Sequence, residues 1–131
     1  MRTEQVKNWL KEKTNVGQGI YVGTIDGNAE KCLGVYLQKR SGPARICLGG
    51  PAQTKTEELR VTVLVHWGKS SVQAETKASD VWQLFYGLTG TIMDGSRVCY
   101  TDPGAGPVPL GRDEKGIFEY VVNVKLIYEK E

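Results

Sequence analysis

"FEYVVNVKLIY" (Phe118–Tyr128) carries an apolar residue at every second position. Phe118, Tyr120, Val122, Val124, Leu126 and Tyr128 fall on one side, and Glu119, Asn123 and Lys125 punctuate the other. A side-chain period of two is that of an extended strand, and one apolar face means cover on that side only. "LRVTVLVHW" (Leu59–Trp67) repeats the pattern: Leu59, Val61, Val63, Val65 and Trp67 share a face, with Arg60, Thr62 and His66 opposite. Two long strands with apolar faces require something to lie on them. Two helix-period stretches supply it. Near the start, about Thr3 to Thr14, Val6, Trp9 and Leu10 recur at helical spacing, with Thr3 as the expected cap and Glu4 in the first turn. After the second strand, Ser70 and Gln73 form a capping-box pair. Ala74, Ala78, Val81, Phe85 and Leu88 then make a stripe flanked by Trp82 and Leu84, before Gly87 and Gly90 end it.

Working outward, "IYVGTI" (Ile20–Ile25) and "CLGVYLQK" (Cys32–Lys39) read as strands joined by the polar turn "DGNAEK", and "GSRVCYTD" (Gly95–Asp102) as another. Ile46–Leu48, between two Gly-Pro breaks, is at most a small edge strand. The order α-β-β-β-α-β-β predicts an α+β fold over a single domain, residues 1–131. It has a mostly antiparallel sheet of four to six strands with the two helices packed on one face.

Composition narrows the function classes. The chain has 131 residues, 40% hydrophobic and 24% charged, as in ordinary globular proteins. Seventeen Lys and Arg against fifteen Asp and Glu leave +2, too weak a balance to argue for nucleic-acid binding. No apolar run approaches a membrane span, and "MRTEQVKNWLKEKT" has no apolar core of a signal peptide. Cys32, Cys47 and Cys99 are odd in number and widely spaced, which favours reduced structural thiols of a cytosolic setting.

Chemistry-bearing patterns are sparse. A lone histidine without a Cys-x-x-Cys pair makes no zinc cage, so no metal and no cofactor is expected. His66 reads as an exposed or edge histidine, and a Cys–His nucleophilic pair stays formally open, because such pairs meet in space. "GAGPVPLG" begins G-x-G, but Pro107 and Pro109 remove donors that a phosphate cradle needs, and a strand rather than a helix follows. "LGGPAQTKT" lacks the G-K-[ST] ending of a P-loop. Two proline-stiffened loops are left. Pro103–Gly111, with Pro103, Gly104, Gly106, Pro107 and Pro109 and with Arg112 just beyond it, reads as an arm for a partner. Arg40–Lys55, carrying Arg40 and Arg45, is a second candidate surface.

The segment "PVPLGRDEKGIFEYVVNVKLIY" (Pro107–Tyr128) has a proline-rich arm, then Gly111 and an Asp113-x-x-Gly116 turn, then a terminal strand with Asn123 near its middle. In this it resembles the small tail-terminator proteins of long-tailed phages, often labelled minor capsid proteins in phages and prophages of Gram-positive hosts. "ELRVTVLVHWGKSSVQAETKASDVWQLFYGL" (Glu58–Leu88) is similar to their central strand feeding a helix, and "VGQGIYVGTIDGNAEKCLGVY" (Val16–Tyr36) to their first two strands. The resemblance implies no active site and no catalytic residue. It implies a structural virion protein at the head–tail interface, assembled in the host cytoplasm. Six copies would form a ring, one face stopping the tail tube and the other meeting the head connector, while DNA passes through without sequence-specific binding. Other readings are a different head–tail completion or tail-tube protein, a small thiol-dependent enzyme, or a ligand- or DNA-binding regulator.

Overall fold

A computed structural model describes residues 1–38, 48–50 and 55–130. The elements are α1 (Thr3–Lys13), β1 (Ile20–Val22), β2 (Lys31–Leu37), β3 (Thr56–Trp67), α2 (Ser71–Phe85), β4 (Thr89–Met93), β5 (Ser96–Asp102), β6 (Val108–Arg112) and β7 (Phe118–Glu129). The strands form one mixed sheet in the order β1-β2-β3-β7-β5-β4, with β6 also on β7. The α+β class and both helices stand as expected, and the sheet gains two short strands, β4 and β6.

The two alternating stretches form the centre. β3 and β7 pair antiparallel from Thr56↔Glu129 to His66↔Glu119. That register sets Val61 opposite Val124 and Val63 opposite Val122, so the two apolar faces become one. Val6, Trp9 and Leu10 of α1 and Ala74, Ala78, Val81 and Phe85 of α2 pack on that face with Leu33, Val35 and Val98. Trp9 and Phe85 meet where the helices converge, ring centres 5.3 Å apart.

The first helix is entered differently from the sequence reading. Arg2 rather than Thr3 is the N-cap, and Gln5 Oε1 accepts the Arg2 backbone N–H at 2.7 Å. Gln5 Nε2 then donates to Asp94 O and Ser96 Oγ, tying α1 to the β4–β5 turn. That turn is a two-residue hairpin: Met93 pairs with Ser96, and both Asp94 (φ 47°) and Gly95 (φ 88°) adopt the positive φ that matches strand twist.

β1 and β2 also depart from expectation, because they run parallel (Ile20↔Leu33, Val22↔Val35). The chain leaves β1 and returns through residues 23–30 before β2 starts alongside. So short a return works because β1 is three residues long. It crosses β2 at Gly34, where a Cβ would stand 2.7 Å from Ile25 Cγ2 and 2.9 Å from Thr24 O. The same return covers His66, which is 1% exposed and not at a solvent edge. Alternation set His66 correctly on the face away from the helices; the loop then buried it. Ile46 and Cys47 of the expected small edge strand lie outside the described residues, and Leu48 sits in a turn.

Candidate functional site

β5 and β6 lie end to end along the same edge of β7. The last pair of β5 is Asp102↔Lys125 and the first of β6 is Val108↔Val121, so Pro103–Pro107 oppose only Val122–Val124. The surplus chain bulges out of the ladder as a Gly-Pro excursion. The proline-rich run is therefore a loop only in its first half, and from Val108 onward it is a strand despite Pro109 and Gly111. Both are tolerated because, among the described residues, β6 has a partner on one side alone, and a proline N–H is not missed on the other edge.

The base of the excursion is fixed. Pro103 is buried, and Trp82 Nε1 of α2 donates to Pro103 O and Gly104 O at 3.2 Å each. Asp102 Oδ1 accepts the Gly104 N–H at 3.0 Å, and Thr101 Oγ1 donates to Phe85 O. Gly104 takes φ +73°, a conformation that suits glycine. Trp82 also stacks on Tyr86, centres 4.8 Å apart, and Tyr86 is exposed. Beyond Gly106 and the half-buried Pro107, all five residues of β6 are exposed, including the apolar Val108 and Leu110. Pairing slips between Pro109 and Gly111, which leaves Leu110 as the extra residue of a bulge. The Arg112 guanidinium lies 5.7 Å from the Phe118 ring centre.

The turn from β6 to β7 is built around Asp113. Its Oδ1 accepts the N–H of Ile117 at 2.8 Å and of Lys115 at 2.9 Å. These bonds, chiefly that from Ile117, hold the Asp113 carboxyl below the ordinary aspartate range, helped by nearby His66 and Lys115. Lys115 Nζ reaches Asn28 Oδ1 (2.7 Å) and Gly27 O (3.2 Å) in the β1–β2 return. Beneath both loops, His66 Nε2 lies 3.0 Å from Ala29 O and Nδ1 lies 3.0 Å from Glu119 Oε2. A carbonyl only accepts, so Nε2 is the donor to Ala29 O. His66 thus joins the return loop to β7.

Among the described residues, the rest of this face is polar and open. Thr62 Oγ1 and Gln38 Nε2 both donate to Asn123 Oδ1, at 2.7 and 3.2 Å. Beside them a shallow depression of about 190 Å³ is bordered by Arg60, Asp102, Gly104 and Lys125. Arg60 is already paired with Glu58 at 3.0 Å. Cys32 is buried, which pushes its thiol up and makes it a poor nucleophile; Cys99 is half-buried, and Cys47 lies outside the described residues. Among the described residues, no group of three His, Cys, Asp or Glu side chains is placed to hold a metal ion.

Of the sequence-predicted surface residues, Pro103, Gly104, Gly106, Pro107, Pro109 and Arg112 therefore share one edge of β7. Arg40 and Arg45 lie outside the described residues. Three residues join the group that loop composition alone does not reveal: Trp82, Tyr86 and Leu110. Trp82 carried a sequence signal, because it flanks the buried stripe of α2 rather than lying in it.

A family profile described as "Bacteriophage tail terminator protein" matches residues 10–130. The chain belongs to the bacteriophage tail terminator family. The match takes in every strand and both the excursion and β6, so the terminator's unusual edge lies inside the matched region. A tail terminator is a structural component of the virion tail. One solved structure aligns with this terminator at 19% identity, over 98% of this chain and 89% of that one, with a TM-score of 0.43. Comparison with curated proteins returns no match. No helix among the described residues is long and apolar enough to cross a membrane.

Proposed function

We propose that this terminator acts as a ring of identical copies, six in number, that ends the tail tube on one face and joins the head connector on the other. DNA passes through the central opening without sequence-specific contacts. The observation that carries the reading is β6: five exposed residues in a formed strand, with one edge unpaired among the described residues, entered from an excursion whose base α2 holds in place. Open strand edges are usually blunted or covered in proteins that act alone. A head-to-tail ring covers such an edge on every copy at once, because each copy presents one patch and receives another. Pro103, Gly104, Gly106, Pro107, Pro109 and Arg112 form the candidate contact with the next copy or the tube, and Arg40 and Arg45 belong to a second.

The test begins with purified protein. Light scattering from low to high micromolar, with images of the large species, is expected to give a six-fold ring with an open centre. Added to growing tail tubes, the protein is expected to stop elongation. The decisive variant lacks Gly104 and Ala105, which leaves three residues opposite Val122–Val124 and lets β5 run directly into β6. It is expected to fold but neither form rings nor cap tubes. Normal assembly by that variant would remove the excursion from the contact.

A further inference from the structure

At the opposite end of the sheet from β6, the start of α1 overhangs β1, β2 and β3 and leaves a depression of about 360 Å³. Met1, Val22, Leu37 and Leu59 line it, together with Arg2 and Glu4. Val22 and Leu37 are exposed there, Leu37 to 65%. The sheet order sets β1 four strands from β6, about 19 Å at the usual strand spacing. Leu110 on the bulge of β6 therefore lies far from the depression of its own molecule, at the other edge.

We infer that this depression receives Leu110 of a second copy, whose Arg112 pairs with Glu4 at its margin. The inference rests on the ring reading and names the two surfaces that meet. Three observations favour this occupant. The chain exposes a formed apolar projection at one sheet edge and an apolar recess at the other, which is the arrangement a head-to-tail contact requires. The charges match: Glu4 is a carboxylate at the recess, Arg112 is a guanidinium two residues past the projection, and among the described residues neither has an ion-pair partner. Leu110 is set outward by a bulge, a device that re-aims a side chain at a sheet edge.

Two exposed-site variants test the fit, Leu37→Asp and Leu110→Asp, each checked by circular dichroism for an unchanged fold. Each is expected to raise the concentration needed for assembly at least tenfold and to sediment as a monomer where the wild type is a ring. Mixed in equal amounts, they are expected to form a heterodimer and stop there. Leu37→Asp retains an intact β6 and Leu110→Asp an intact recess, so one good contact forms and none can follow it. Glu4→Arg and Arg112→Glu are each expected to weaken the ring, and together in one chain to restore it. If both aspartate variants assemble like the wild type, the inference falls and the ring reading stands. If they block assembly but the mixture gives no dimer and the double charge reversal no recovery, the two patches do not meet and the inference falls. If the wild type itself never assembles, with or without tubes, both readings fall.

Discussion

Gly34 shows how much one missing side chain can hold. The β1–β2 return crosses its bare backbone, and the space a Cβ would need is already taken by Ile25 and by the Thr24 carbonyl. Gly34→Ala must push backbone rather than a flexible side-chain tip. It is expected to cost about 1–3 kcal/mol, the usual range for overpacking, read as a lower urea midpoint. Lys77 makes the reverse case, a long charged side chain that is buried. It is 8% exposed, donates to Thr14 Oγ1 at 2.7 Å and lies 4.7 Å from the Trp67 ring centre. Burial pushes its ammonium below the ordinary lysine range, partly opposed by Asp80. Between the folded value and the ordinary one, the unfolded chain binds the extra proton, so raising the pH favours the folded state. Compared with Lys77→Met, the wild type is therefore expected to gain melting temperature as the pH rises from 7 towards the ordinary lysine range. A constant difference between the two proteins would show that the lysine is not titrating in that window. Neither residue announces its role in the sequence: Gly34 reads as an ordinary weak spot in a strand, and Lys77 as one of many helix-surface charges. His66 is similar, since alternation assigns its face but cannot say that a loop from residues 23–30 will lie over it.

At the scale of elements, legibility follows how a strand is buried. β3 and β7 are each covered on one face by helices, so an apolar residue recurs at every second position and both are legible as strands, although their pairing is not. β6 has no buried face and carries Pro109 and Gly111, and so has the composition of a loop. β4 is also mostly exposed, although Asp94-Gly95 beside it is a strong hairpin signal. The parallel pairing of β1 and β2 leaves no mark in either strand; it depends on the return loop finding room over Gly34. The excursion between β5 and β6 depends in turn on α2. Trp82→Phe keeps most of the packing but removes the donor to Pro103 O and Gly104 O. The expected loss is roughly 1 kcal/mol in stability, near the net value of a hydrogen bond. Faster hydrogen exchange at the Gly104 and Ala105 amides, with α2 unchanged, would localise that effect. Exchange left at the wild-type rate would mean that Asp102 and the buried Pro103 suffice to hold the base.

For the whole molecule, charge sets a limit on what the proposed opening can do to DNA. A net charge of +2 gives one copy little capacity to displace counterions from a duplex. Filter binding at 150 mM salt is expected to show affinity no tighter than about 10⁻⁶ M, in the non-specific range. Strong, steeply salt-dependent retention would instead favour a DNA-binding regulator. The sheet's connectivity has a further outcome, in time rather than in space. β7 is the strand on which β3, β5 and β6 all depend, and it follows them in the sequence. His66 meets Glu119 across 53 residues of chain. During synthesis, β1–β2–β3 and β4–β5 are two fragments without a common ladder until residues 118–129 have left the ribosome. Closing so many distant pairings at once is slow, on the order of milliseconds to seconds, and it leaves strand edges uncovered meanwhile. In the proposed ring, a copy would gain its contact strand β6 only once β7 is in place, so half-made chains would be kept out of the assembly.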